Sequence, residues 1–231
     1  MASGGVATAA EQDPAVALSG GSFSWGFNTS FLGHLASPVA GGQITATDGA
    51  EFMEQEFTFP VDINDSTIDG EGNGEIELEG GIDLKAYAGM GADGGWGLDL
   101  SYDDLSLNIQ GTSVTLIGDY SLFGGKNSGD DVELITFTLS EQIDPVTGTF
   151  RAEDVVTSAA QGVKDSLGRY EVGVPMASAD LELTFAKAET GQESAKDTGS
   201  SAGSNIFNNL TQALGGIFST LAQFLRGIFN L

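Results

Sequence analysis

From residue 21 to residue 185 the chain is a succession of short alternating or β-branched runs cut by glycine-rich turns, with 34 glycines in 231 residues. A period of two puts successive side chains on opposite faces of a strand, and frequent turns return the chain before a long helix can form. The fold class expected is therefore mainly β, an antiparallel β-sandwich or barrel-like domain. Strands are expected over 52–59, 74–84, 95–102, 105–110, 114–121, 132–140 and 179–185. Glu75-Ile76-Glu77-Leu78-Glu79 and Leu181-Glu182-Leu183-Thr184-Phe185 alternate cleanly, so each has one wet and one dry face.

Three stretches break this pattern. Residues 1–20 are small, polar and aperiodic and are expected to be a disordered leader. Residues 28–35 are expected to form a short N-terminal helix on the sheet, with Thr29 and Ser30 as N-cap candidates and His34 near its C-terminal end. After the β domain at 21–186, a polar linker at 187–204 leads to a separate C-terminal amphipathic helix at 205–231. There Phe207, Leu210, Leu214, Ile217, Leu221, Phe224, Ile228 and Leu231 repeat at three- and four-residue spacing. Ile206, Phe218, Leu225 and Phe229 widen that stripe, and Arg226 is its only charge. So broad an apolar face is expected to bind copies of itself in a homo-oligomer or to lie on a lipid surface.

Thirty-three acidic against eight basic residues give a formal charge of −25, which repels phosphates and sets nucleic acid aside as a partner. No run of about 18 apolar residues occurs, so no membrane-spanning helix is expected. The first seven residues lack a basic segment followed by an apolar one, so no signal peptide is expected at this start. The sequence has no Gly-x-Ser-x-Gly elbow, no His-Glu-x-x-His and no phosphate-binding loop, and it is not expected to be an enzyme. Asp69-Gly70-Glu71-Gly72-Asn73-Gly74 copies half of a calcium loop, but Gly80 stands where the bidentate glutamate belongs. An acidic hairpin turn is the expectation there, and calcium is not.

The chain contains one histidine, His34, and no cysteine, so any borderline metal has a single nitrogen ligand from protein. One axial ligand suffices only when the cofactor brings the others, as a porphyrin does. His34 closes the run Trp25-Gly26-Phe27-Asn28-Thr29-Ser30-Phe31-Leu32-Gly33-His34, continued by Pro38-Val39-Ala40-Gly41-Gly42 and Asp48-Gly49-Ala50. These motifs, with Phe57-Thr58-Phe59-Pro60 and Gly74-Glu75-Ile76-Glu77-Leu78, resemble the HtaA domain of actinobacterial haem-uptake proteins. The resemblance extends more weakly to Phe185.

What the resemblance implies is a secreted or cell-envelope protein that binds haem through one axial ligand for uptake or transfer. The family's ligand is a tyrosine after Ser-Phe, and the matching position here is His34. Ser30, Phe31 and Leu35 are the expected pocket walls, with Trp25 and Phe27 in the core. The family also supports its tyrosine with a histidine in a Gly-His turn, and the nearest counterpart here, Glu79-Gly80-Gly81-Ile82, has none. Lys85, Lys126 and Arg151 are the candidate cations for haem propionates. The other expectation is a non-enzymatic assembly protein whose β domain has lost haem binding and whose helix at 205–231 does the work.

Overall fold

The structure, a computed structural model, describes residues 15 to 186. The linker expected at 187–204 and the amphipathic helix expected at 205–231 lie outside the described residues, as do residues 1–14 of the expected leader. In chain order the elements are β1 (Leu18–Trp25), α1 (Thr29–Leu35), β2 (Gln43–Thr47), β3 (Glu51–Met53), β4 (Glu56–Pro60), β5 (Thr67–Ile68) and β6 (Gly74–Glu77). There follow β7 (Gly81–Ala88), β8 (Trp96–Gln110), β9 (Ser113–Leu122), β10 (Asn127–Thr138), β11 (Thr149–Val155), β12 (Thr157–Ala159), α2 (Gln161–Leu167) and β13 (Ala179–Phe185).

They build two antiparallel sheets, as the alternation demands. One has the order β11-β13-β1-β4-β3, and the other the order β12-β10-β9-β8-β6-β5 with β7 also on β8 and β2 on β7. Their inner faces share one core. Phe23 of β1 stacks on Phe59 of β4 at 6.3 Å and on Phe137 of β10 at 6.0 Å, which ties the sheets together. The sheet begins earlier than expected: Leu18 is already paired with Phe185, and Val16 bridges Ile68. The expected leader thus loses its last residues to β1, whose Ser-Gly-rich run is held as a strand by partners on both sides, β13 and β4.

The two runs expected at 95–102 and 105–110 are one strand, β8. Its first half pairs with β7 and its second half with β6, and between them Asp104-Leu105 form a bulge opposite Gly118 of β9. Leu100 and Tyr102 face the core before the bulge, and Leu105, Leu107 and Ile109 after it. The extra residue therefore switches the parity of the inward positions. Asp104 adopts φ 50°, and Asp131 in a matching bulge of β10 adopts φ 51°. Both bulges meet at Asp119 of β9, whose carboxylate accepts from the Asp131 N–H at 2.7 Å. Among the described residues, Asp104, Asp119 and Asp131 are the one group of three acidic or histidine donors close enough to share an ion.

The turn at Asp69 joins β5 to β6 in an antiparallel hairpin. Asp69 Oδ1 accepts from the backbone N–H of Asn73 at 2.8 Å and of Glu71 at 2.9 Å. The Asn73 backbone bond is the main reason its carboxyl is held below the usual value.

Several other carboxyls are displaced the opposite way. Partial burial, reinforced by neighbouring acids, pushes Glu56, Glu77 and Asp103 up. A carboxyl raised on folding makes the native state the better proton binder, so stability grows as pH falls from neutral towards the ordinary carboxyl range. Asp69 works against this only at more acidic pH, where its own proton goes on. Thermal melts should give a higher Tm at pH 5.5 than at pH 7.5. A lower Tm at pH 5.5 would contradict this account.

Candidate functional site

Helix α1 is positioned from both ends. Asn28, rather than Thr29 or Ser30, is its N-cap, and the Asn28 side chain accepts from the Phe31 N–H at 3.0 Å. At the other end the Gly42 N–H donates to the Leu35 carbonyl at 2.9 Å. A Cβ on Gly42 would lie 2.5 Å from that oxygen and 3.0 Å from the Lys85 carbonyl of β7, so only glycine allows the helix to lie this close to the strand.

The inner face of α1 is sealed. Phe31, Leu32 and Leu35 are buried, and Leu35, at 1% exposure, is a core residue rather than the wall of an open pocket. Phe31 packs on Phe27 at 5.7 Å and meets the edge of Tyr170 at 6.4 Å. Phe27 in turn touches Trp25 and Tyr102 at 4.8 and 5.8 Å, so Trp25 and Phe27 are core, as expected. Ser30 and His34, four residues apart, share the exposed outer face.

His34 is not alone there. Its Nε2 is 2.6 Å from the phenolic oxygen of Tyr87 on β7, 53 residues further along the chain. Tyr87 went unread in the sequence because no local pattern links it to α1. Its backbone is unusual, with φ 57°, a left-handed conformation that bulky residues avoid. The Tyr87 N–H donates to the Ala40 carbonyl at 2.8 Å, and its own carbonyl accepts from Met90 N–H at 3.1 Å. Across the ladder stands Gly97, where a Cβ would come within 2.9 Å of the Tyr87 Cβ.

Two exposed apolar residues lie at or next to the backbone partners of Tyr87. Val39, next to Ala40, is 83% exposed, and Met90, whose N–H bonds the Tyr87 carbonyl, is 76% exposed. On the far side of Gly97 a hollow of about 430 Å³, not lined by Tyr87 itself, is lined by Met90, Trp96, Gly97, Asp99, Phe123 and Lys126. Of the three candidate cations, Lys85 pairs with Asp99 at 3.1 Å and Arg151 is held by Glu153 and Glu182. Lys126 is the one that lines this hollow. Arg169, which sequence reasoning passed over, lies 5.6 Å from the Tyr170 ring beside Phe31.

Comparison with known proteins identifies the fold. The HtaA family profile matches residues 20–182. Three crystal structures from Corynebacterium glutamicum share the fold. The N-terminal domain of HtaA is 25% identical at a TM-score of 0.65, covering 74% of this chain and 99% of that one. The heme binding protein HtaB is 25% identical at 0.62, covering 75% and 96%. The C-terminal domain of HtaA, 21% identical at 0.61 and covering 74% and 99%, shows the fold alone. No curated protein sequence matches the chain. With the family profile spanning most of its length, including α1 and its capping turn, β7 and both sheets, the chain belongs to the HtaA family.

Proposed function

We propose that the protein binds haem on the outer face of α1 through one axial ligand held in the His34–Tyr87 pair. The carrying observation is that pair: two iron-competent donors joined at 2.6 Å on an exposed face. The donor set fits the group. An imidazole and a phenol are both axial ligands for haem iron, and the porphyrin supplies the equatorial nitrogens that this chain lacks. Val39 and Met90 offer apolar contact to a flat macrocycle, and Lys126 offers a cation to a propionate. Ser30 lies on the same helix face, and Phe31 and Leu35 hold that face to the core.

Bound haem would supply an iron centre to be carried, and the chain's residues would hold and release it without chemistry of their own. The role we infer is non-enzymatic: uptake or transfer of haem by a secreted or cell-envelope protein. Self-association or attachment to lipid through residues 205–231 belongs to the same reading and rests on the apolar stripe of the sequence.

Titrating the full chain with haemin is expected to give a saturable, shifted Soret band at one haem per chain. The double variant His34→Ala/Tyr87→Phe, checked for folding by its thermal melt, should lose the shift. A wild-type spectrum equal to that of free haemin would refute haem binding.

A further inference from the structure

We propose that β11 is a docking edge for an extended peptide that carries cationic side chains at alternate positions and adds to the first sheet as a further strand. The proposal does not depend on haem binding. β11 ends the sheet β11-β13-β1-β4-β3, and among the described residues no strand pairs with its outer side. The other edges are shorter: three residues in β3, two in β5, three in β12 and five in β2, against seven in β11. A long edge leaves a row of amides and carbonyls free to template another strand. Space also lies beside it. A hollow of about 800 Å³ is lined by Arg151, Ala152 and Glu153 of β11 and by Thr136, Phe137 and Thr138 of β10. Val146, just before β11, is 90% exposed and Val156, just after it, is 72% exposed, so apolar contact is open at both ends.

Charge around the edge names the occupant. Along β11, Thr149, Arg151 and Glu153 are exposed while Phe150 and Ala152 are buried. The Arg151 guanidinium is already held by Glu153 and by Glu182 of β13. Asp180, also of β13, accepts from the Asp154 N–H at 2.7 Å. The outer face therefore sets Glu153, Asp154, Asp180 and Glu182 against a single guanidinium. A second copy would bring this acidic patch against its own image in a chain of formal charge −25, which disfavours pairing of β11 with β11. Lysine or arginine at every second position of a peptide matches the patch. Those side chains would lie over Glu153 and Glu182, and the alternate ones, small and apolar, would enter the hollow against Phe137 and Ala152. Ladder bonds supply the affinity and charge selects the partner, since exposed ion pairs are individually weak. The bulge at Glu153-Asp154, with Asp154 at φ 52°, ends the added ladder, which runs over residues 149–152.

The test titrates the full chain with a fluorescein-labelled peptide of alternating lysine and valine. Anisotropy at low ionic strength should rise to saturation at one peptide per chain, and amide hydrogen exchange of residues 149–152 should slow on binding. Methylating the peptide's backbone nitrogens keeps every charge and removes the ladder donors, and it should weaken binding on the order of tenfold. Glu153→Lys, checked for folding by its thermal melt, should weaken binding of the unmethylated peptide by a similar factor. A peptide of alternating glutamate and valine should not bind. Failure of the lysine–valine peptide to bind would overturn the proposal. So would equal binding of its methylated form, or protection elsewhere on the chain, either of which would mean only the attraction of a polycation to an acidic protein. Protection of residues 149–152 in the chain alone would overturn it too, by giving the edge to a second copy or to another part of the same chain.

Discussion

Replacing Phe27 with alanine is expected to lower the stability of the β domain by about 3–5 kcal/mol, the range for emptying a buried aromatic site. Phe27 is fully buried, and its ring is the junction between Trp25, Phe31 and Tyr102. Through those contacts one side chain joins β1, α1 and β8. Its backbone has φ 52°, so the alanine would keep the left-handed conformation while losing the packing that offsets it. The surrounding groups cannot easily collapse into the void, because Trp25 and Tyr102 are themselves confined at 1% exposure. Urea denaturation should show the midpoint fall with the slope unchanged. A loss under about 1 kcal/mol would mean that this aromatic cluster is not what moors α1.

Gly42→Ala should act on the site as well as on the fold. The added methyl would meet two backbone oxygens, from Leu35 of α1 and Lys85 of β7, neither of which is the far end of a flexible side chain. Relief requires moving the helix away from the strand, and overpacking of this kind costs about 1–3 kcal/mol. The same movement stretches the contact between His34 and Tyr87, which sit on those two elements. Haemin affinity should fall even at temperatures where the variant is fully folded. Gly20→Ala, where a methyl meets nothing within 4 Å, is the control and should leave stability and affinity nearly unchanged. Equal affinities for Gly42→Ala and wild type would show that the spacing of helix and strand does not set binding.

The fold was legible wherever one strand carries its own alternation, as in β13 and β6. It was obscure where partners impose the strand. β1, with Ser and Gly at five of its eight positions, has little propensity of its own and is extended because β13 and β4 flank it. The break expected between residues 102 and 105 fails because one extra residue, at Asp104-Leu105, can be absorbed in a bulge without ending a ladder. The cap of α1 was placed one or two residues late, at Thr29 or Ser30, since Asn28, Thr29 and Ser30 are all capable and only geometry chooses. Half of the candidate site was visible in the same way. His34 stood out as the lone nitrogen donor, but Tyr87 is one of four tyrosines, and a contact across 53 residues leaves no periodic trace.

The bulge at Asp104-Leu105 also bears on how this sequence can change length. Deleting Asp103 or Asp104 would remove the extra residue and leave Leu100, Tyr102, Leu105, Leu107 and Ile109 at a period of two, all facing the core along one regular strand, whereas deleting Ser106 would turn Leu107 and Ile109 into water. The neighbouring hairpin at Gly111, a surface turn with open space around it, carries no such phase. Single-residue deletions in this stretch should therefore be tolerated at the hairpin tip and at the acidic pair, and excluded from the run between them, where each one changes the face that the leucines take.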